Sequence, residues 1–367
     1  MARLRPAGPL WLRAPGRAAG LPRATARRVI AATALLLFIL MLSAWLTTAA
    51  RPLFDAELAL QEGVVSALAA GGEYYAVATD ALRAGGQPVL PFTMVRLPTL
   101  TIALAALPPA TADLLMIALA ALAGFVWIER LRRDALASVP PMLVAGVALA
   151  AGLVLLVRTD LTAAHSGWAG LFVAFSLGLY RPGDWLSAAA LGLCGALIHE
   201  MAGLYLVVMA AFALVERRRG EAIGWFAALS LLAVALGFHA IAVASMTGPL
   251  DGESQPLVSL GGAGLYVRAV AAATALDVLP LAVSAPLVAF ALIGWAGWRH
   301  PVAARAAALL WVYALVIAVF ALPQALHLGF LVAPIVLIGL AFLPDTIRDL
   351  TAAALDRRRV RVHRVTR

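Results

Sequence analysis

The chain has 367 residues, 63% of them hydrophobic and only 13% charged, with a mean hydropathy of +0.94. A soluble domain carries about 25% charged residues, so water is excluded as the only solvent and most of the outer surface must face lipid. The net charge of +9 comes from arginine alone, set in short clusters between apolar runs, which is the pattern of a membrane-topology signal and not of a nucleic-acid-binding face.

Arginine in place of lysine, with heavy alanine use, reads as GC-rich bacterial coding and directs the chain to a bacterial inner membrane. The single cysteine, Cys194, lies in an apolar run and has no partner for an intrachain disulfide. The N-terminal segment 1–28 interleaves Arg3, Arg5, Arg13, Arg17, Arg23, Arg27 and Arg28 with proline and glycine and is expected to be a disordered cytoplasmic arm. The apolar stretch Val29–Ala50 is too long for a signal-peptide core of about 7–15 residues and reads as a retained anchor.

Placing the arginine clusters at 130–133, 181, 217–219, 299–305 and 348–367 on the same side as the N-terminus gives ten spans. These run near 29–50, 110–128, 140–157, 162–179, 185–198, 201–215, 222–246, 277–298, 304–322 and 328–344. Only Arg51, Arg83, Arg96, Arg158 and Arg268 then fall on the other side, and most acidic residues join them. The expected fold is therefore an all-α polytopic bundle over 29–346. Both termini would be cytoplasmic, the residues 347–367 forming a basic tail and the acidic face periplasmic. Segment 93–108 is shorter than the roughly 20 residues a crossing needs and is read as re-entrant or interfacial. Trp185–Val215 is apolar except for His199-Glu200 and has basic residues beyond both ends, so it is read as a hairpin turning at that pair.

The segment between the first two spans, 51–109, is too long for a plain connector. Leu60, Val64 and Leu68 form an apolar stripe ended by Gly71-Gly72. A second helix starts at Glu73 with Tyr74, Tyr75, Ala78, Ala81 and Leu82 on one face, and Gly85-Gly86 and Pro88 stop it. Two surface helices followed by a proline-bounded apolar segment would roof a cavity. Gly261-Gly262-Ala263-Gly264 lacks the Lys-Ser/Thr ending of a phosphate loop and is read as part of a flexible loop over 247–275.

Phe54-Asp55, Gly72-Glu73-Tyr74-Tyr75, Gly86-Gln87-Pro88 and Arg96-Leu97-Pro98 together resemble the first periplasmic loop of the GT-C superfamily. These are multispanning glycosyltransferases that use polyprenyl-phosphate-linked sugars. The resemblance implies an inverting transfer to a periplasmic or lipid-linked glycan acceptor, with Asp55 as the base and Glu57 as the second choice. It also implies a substrate-binding role for Tyr74 and Tyr75.

Such chemistry needs a base for the acceptor hydroxyl and donors for the departing phosphate, at the membrane surface where the lipid carrier lies. Arg96 and Arg268 are the phosphate candidates, with Arg158 beside them. His165, His199 and His327 fall near the outer ends of spans at the level of Glu200 and Asp160, where they can donate to a phosphate or hold a divalent metal. No HxH or HExxH spacing supports the metal, and no cofactor is otherwise indicated. His239 falls inside a span and is read as a packing residue. Two other functions are open to the same pattern: a transporter or flippase of envelope precursors, and an inactive GT-C-like membrane subunit.

Overall fold

A computed structural model describes residues 8–46, 51–249, 251, 261–320 and 325–356. Within them the chain is all-helical and membrane-embedded. Five helices are both long and apolar enough to cross a bilayer: 23–43, 109–135, 139–157, 219–246 and 301–319. Four more apolar helices are shorter. Large apolar side chains such as Phe38, Leu114, Phe125, Val147, Phe238 and Leu315 are exposed, the inverse of a water-soluble surface.

The helices are α1 (Arg23–Leu46), α2 (Arg51–Ala69), α3 (Tyr74–Ala84), α4 (Pro98–Ala105), α5 (Pro109–Arg130), α6 (Val139–Leu153), α7 (His165–Leu179), α8 (Leu186–Ile198), α9 (Gly203–Val215), α10 (Arg219–Met246), α11 (Gly262–Ala272), α12 (Leu281–Gly297), α13 (Pro301–Val319), α14 (Ala333–Val336) and α15 (Leu343–Leu355). At the centre stands α7, buried on nearly every face. Beside it runs a broken segment of 3-10 turns at 325–331 and 337–342 around α14, also buried. This segment packs backbone against backbone through glycine. A Cβ on Gly170 of α7 would lie 2.1 Å from the Phe330 carbonyl oxygen, and one on Gly294 of α12 would lie 1.8 Å from that of Gly339. Small residues are how helices approach closely when lipid removes the usual hydrophobic drive.

Described arginines from the clusters expected to share a side meet at one end of the bundle, where Arg13 reaches Arg132 O and Arg17 reaches His300 O. Arg130 donates to the carbonyls of Gly178 and Tyr180, both at 2.7 Å. Buried Arg305 forks onto Glu216 at 2.9 and 2.8 Å and is stacked by the rings of Tyr180 and Phe212, whose centroids lie 4.5 and 4.8 Å from its guanidinium carbon. The opposite end carries α2, α3, α4 and the turns at 158–164 and 199–202.

Several expectations need correction. Residues 8–22 are not a disordered arm. They run across the arginine-rich end as a strap, with Arg13 N–H donating to Ala135 O and Arg17 N–H to Gly297 O, each at 2.8 Å. The Asp345 carboxylate accepts from the N–H groups of Leu10, Trp11 and Leu12 at 2.7, 2.7 and 2.9 Å. The first helix starts at Arg23, earlier than Val29, and residues 1–7 lie outside the described ones. Of the flexible loop placed over 247–275, residues 262–272 are the helix α11, which buries Tyr266, Val267 and Val270 against α1 and α13. The last expected span is the broken segment just described. Its continuation α15 carries helix to Leu355, well into what was read as a tail; residues 357–367 lie outside the described ones.

Other readings hold locally. Gly71, at φ 96°, ends α2, and Glu73 caps α3 by accepting from Ala76 N–H at 2.9 Å. Val64, Tyr74, Ala78 and Leu82 form one buried cluster between α2 and α3. At eight residues α4 rises only about 12 Å, far short of a crossing. The chain breaks at His199-Glu200, and Gly192 meets Tyr205 and Leu206 across that break, the contact of two helices folded back on each other.

Candidate functional site

Under α2, five separate stretches of chain bring ionisable groups together. Glu57 reaches down from the first turns of α2. Arg96 precedes α4, His165 opens α7, His199 and Glu200 form the turn between α8 and α9, and His327 lies in the 325–331 segment. The Arg96 guanidinium donates through Nη2 to Glu57 Oε1 at 2.5 Å and through Nη1 to Glu200 Oε1 at 3.1 Å. His327 Nε2 stands 2.8 Å from the other Glu57 oxygen. All six side chains are largely buried. Burial alone would raise the Glu57 carboxyl, but the Arg96 charge and the His327 contact override it and hold the group well below the usual carboxylate range. A guanidinium shared by two carboxylates stays charged and fixes both in orientation.

Backbone and neighbours lock the rest. The Tyr74 hydroxyl donates to Arg96 O at 2.6 Å, tying α3 to the arginine. His165 sits between the Ala163 carbonyl on Nδ1 and the Thr101 hydroxyl on Nε2, each at 3.1 Å. Since a carbonyl only accepts, the ring proton is on Nδ1 and Nε2 accepts from Thr101. His199 Nδ1 accepts from Met201 N–H at 3.3 Å, so the neutral ring carries its proton on Nε2. Burial lowers this imidazole to about 4, which keeps it neutral at pH 7. The cleft these groups line admits one water at its inner end, where about 10 Å3 is open to a water's centre. Mouth included, it offers about 250 Å3.

The residues singled out from sequence thus divide. Glu57, Tyr74, Arg96, His165, His199, Glu200 and His327 converge. Asp55 does not: two residues from Glu57 on a helix, it points about 200° away, is exposed, and lines a second cleft with Arg158, Asp160 and Asp277. Arg158 is paired there with Asp160 at 2.5 Å. Leu58 borders both clefts. Tyr75 instead donates to His239 Nδ1 at 3.2 Å, while His239 Nε2–H donates to Val95 O at 3.0 Å, so His239 is the packing residue expected. Arg268 lies on α11, outside the group.

Among the described residues no three His, Cys, Asp or Glu side chains are arranged to hold one metal ion. The physical reason is that His165 is engaged on both nitrogens and His199 on Nδ1. Sequence reasoning missed Ser166 and Gln61, which also line the cleft. Neither a serine within an apolar helix nor a glutamine on an exposed one stands out in a linear reading. Comparison with protein-family models, with curated proteins and with solved structures finds no match, so the site is read from its own geometry.

Proposed function

We propose that the protein is an inverting glycosyltransferase of GT-C type, crossing a bacterial inner membrane ten times with both termini in the cytoplasm. It takes a sugar from a polyprenyl-phosphate carrier to a glycan or lipid acceptor on the periplasmic side. One observation carries the reading: residues from five segments converge as a buried acid–base group at the arginine-poor end of an apolar bundle, beneath two amphipathic helices. Ionisable groups are expensive in such surroundings and mark function by default. Their place at one end, beside the turns, favours chemistry at the membrane surface over passage through it.

In this reading Glu57, kept ionised by Arg96 and oriented by His327, is the base. The acceptor oxygen attacks the anomeric carbon as its proton passes to the Glu57 carboxylate. The bond from that carbon to the phosphate oxygen breaks, and its electron pair leaves with the polyprenyl phosphate.

The test is mass spectrometry of envelope glycans and polyprenyl-phosphate sugars from a deletion strain complemented at matched expression. Wild type and Asp55→Asn are expected to restore a sugar-sized mass to a glycan, and Glu57→Gln to leave a lipid-linked sugar unspent. If Asp55→Asn blocks transfer and Glu57→Gln does not, the base is in the Arg158 cleft. If no complemented strain differs from the deletion, the transferase reading fails.

A further inference from the structure

Two side chains in the cleft under α2 have no hydrogen-bond partner among the described residues: Ser166 Oγ and His199 Nε2, on residues 2% and 1% exposed. Both can donate, the serine by its hydroxyl and the histidine because its proton is held on Nε2 by the Met201 N–H on the other nitrogen. An unmet buried donor costs about 1–3 kcal/mol. Two of them facing one cleft mark a place where an oxygen is received.

The charge of the wall limits what that oxygen belongs to. Arg96, the one arginine on the wall, is already committed to Glu57 and Glu200. One positive against two negative charges leaves the trio at −1, with Glu57 and Arg96 on the wall beside His327 and Glu200 reached through Arg96. A phosphate or carboxylate would add negative charge beside two fixed carboxylates in a poorly solvated space, where like charges repel strongly. A hydroxyl suits both halves of the wall, since it accepts from Ser166 or His199 and donates to a carboxylate. Several hydroxyls on one ring do this at once. About 10 Å3 is open to a water's centre, room for one oxygen at the inner end, so a hydroxyl enters there and the ring that carries it sits at the mouth.

We propose that this cleft is a receptor for the hydroxyl groups of one uncharged sugar ring and that it rejects anionic sugars and free phosphate. This assigns Arg96 away from the phosphate role expected from sequence. Reading that sugar as the transferred unit rests on the glycosyltransferase proposal; the binding itself does not.

The experiment is saturation-transfer NMR titration of the full chain in phosphatidylcholine nanodiscs. The probes are methyl hexopyranosides of gluco, galacto and manno configuration and glucuronate, read directly, and inorganic phosphate, read by its competition with a bound glycoside. At least one neutral glycoside is expected to bind at least tenfold more tightly than glucuronate or phosphate. Ser166→Ala removes an unmet donor, so it should fold as the wild type does, and it should weaken the neutral glycoside about three- to tenfold, one hydrogen bond's worth. His199→Gln provides a second, independent loss. Equal or tighter binding of glucuronate or phosphate would overturn the proposal. So would no binding of any neutral glycoside, or affinity unchanged in both variants. Glycoside binding together with envelope glycans that match the deletion in every complemented strain would instead sink the transferase reading and leave the receptor standing.

Discussion

Replacing Arg96 with glutamine leaves Glu57 and Glu200 buried under α2 without the cation that joins them at 2.5 and 3.1 Å. Removing one partner of a buried ion pair costs about 3–5 kcal/mol, because the partner left behind keeps its desolvation penalty. At about 2 °C per kcal/mol, the value for larger domains, the unfolding midpoint in detergent should fall by roughly 6–10 °C. Tryptophan fluorescence at a fixed scan rate reads this, since membrane-protein unfolding is rate-dependent. The loss should shrink as the pH is lowered toward 5, where protonation relieves the two carboxylates. The double variant Arg96→Gln/Glu57→Gln should recover part of it, because one stranded charge is gone. A fall of under about 2 °C, or a double variant showing the sum of the two single losses, would refute the idea that Arg96 neutralises a buried carboxylate pair.

Three further outcomes follow from the same contacts. Gly170→Ala should cost about 1–3 kcal/mol by overpacking, since its Cβ would meet Phe330 O at 2.1 Å. Gly146→Ala, with nothing within 4 Å, should be neutral or stabilising by about 0.5–1 kcal/mol; equal midpoints for the two would contradict the close packing of the 325–331 segment. Because the folded state depresses the Glu57 pKa, its contribution is complete above the ordinary glutamate value of about 4.3 and drains away as pH falls below it. Unfolding midpoints of wild type should therefore drop below pH 4.3 more steeply than those of Glu57→Gln. Asp345→Ala removes the acceptor of three N–H bonds and should speed tryptic cleavage at exposed Arg13 and Arg17; an unchanged cleavage rate would mean that other contacts hold the strap.

What the sequence made legible was what local rules govern. Charge clusters sort the loops between two ends, and Gly71-Gly72 and Gly85-Gly86 end the helices they should. The pair His199-Glu200 breaks an apolar run because neither side chain tolerates lipid. What stayed hidden depends on neighbours distant in sequence. The 325–342 segment is irregular because glycines on other helices let its backbone press close, and no window on that segment contains those glycines. Tyr266 and Val270 give α11 an apolar face, but the glycine run before it reads as loop until α1 and α13 are present to cover it. The exchange of Asp55 for Glu57 is a matter of helical phase. Both carboxylates suit the resemblance, and only the rotation of α2 about its axis decides which one meets Arg96.

The strap across the arginine-rich end ties the order of synthesis to the order of assembly. Residues 10–12 leave the ribosome long before Asp345, which lies 333–335 positions later. Until α15 is made, those three N–H groups have no acceptor of this kind, and α1 lacks the neighbour that Arg23 reaches at Ala354 O, 3.2 Å away. Closure of this end therefore reports that the whole chain has been threaded. A chain stalled before residue 343 would lack the acceptor that holds residues 10–12 across this end, a state that a membrane protease can tell from the finished protein.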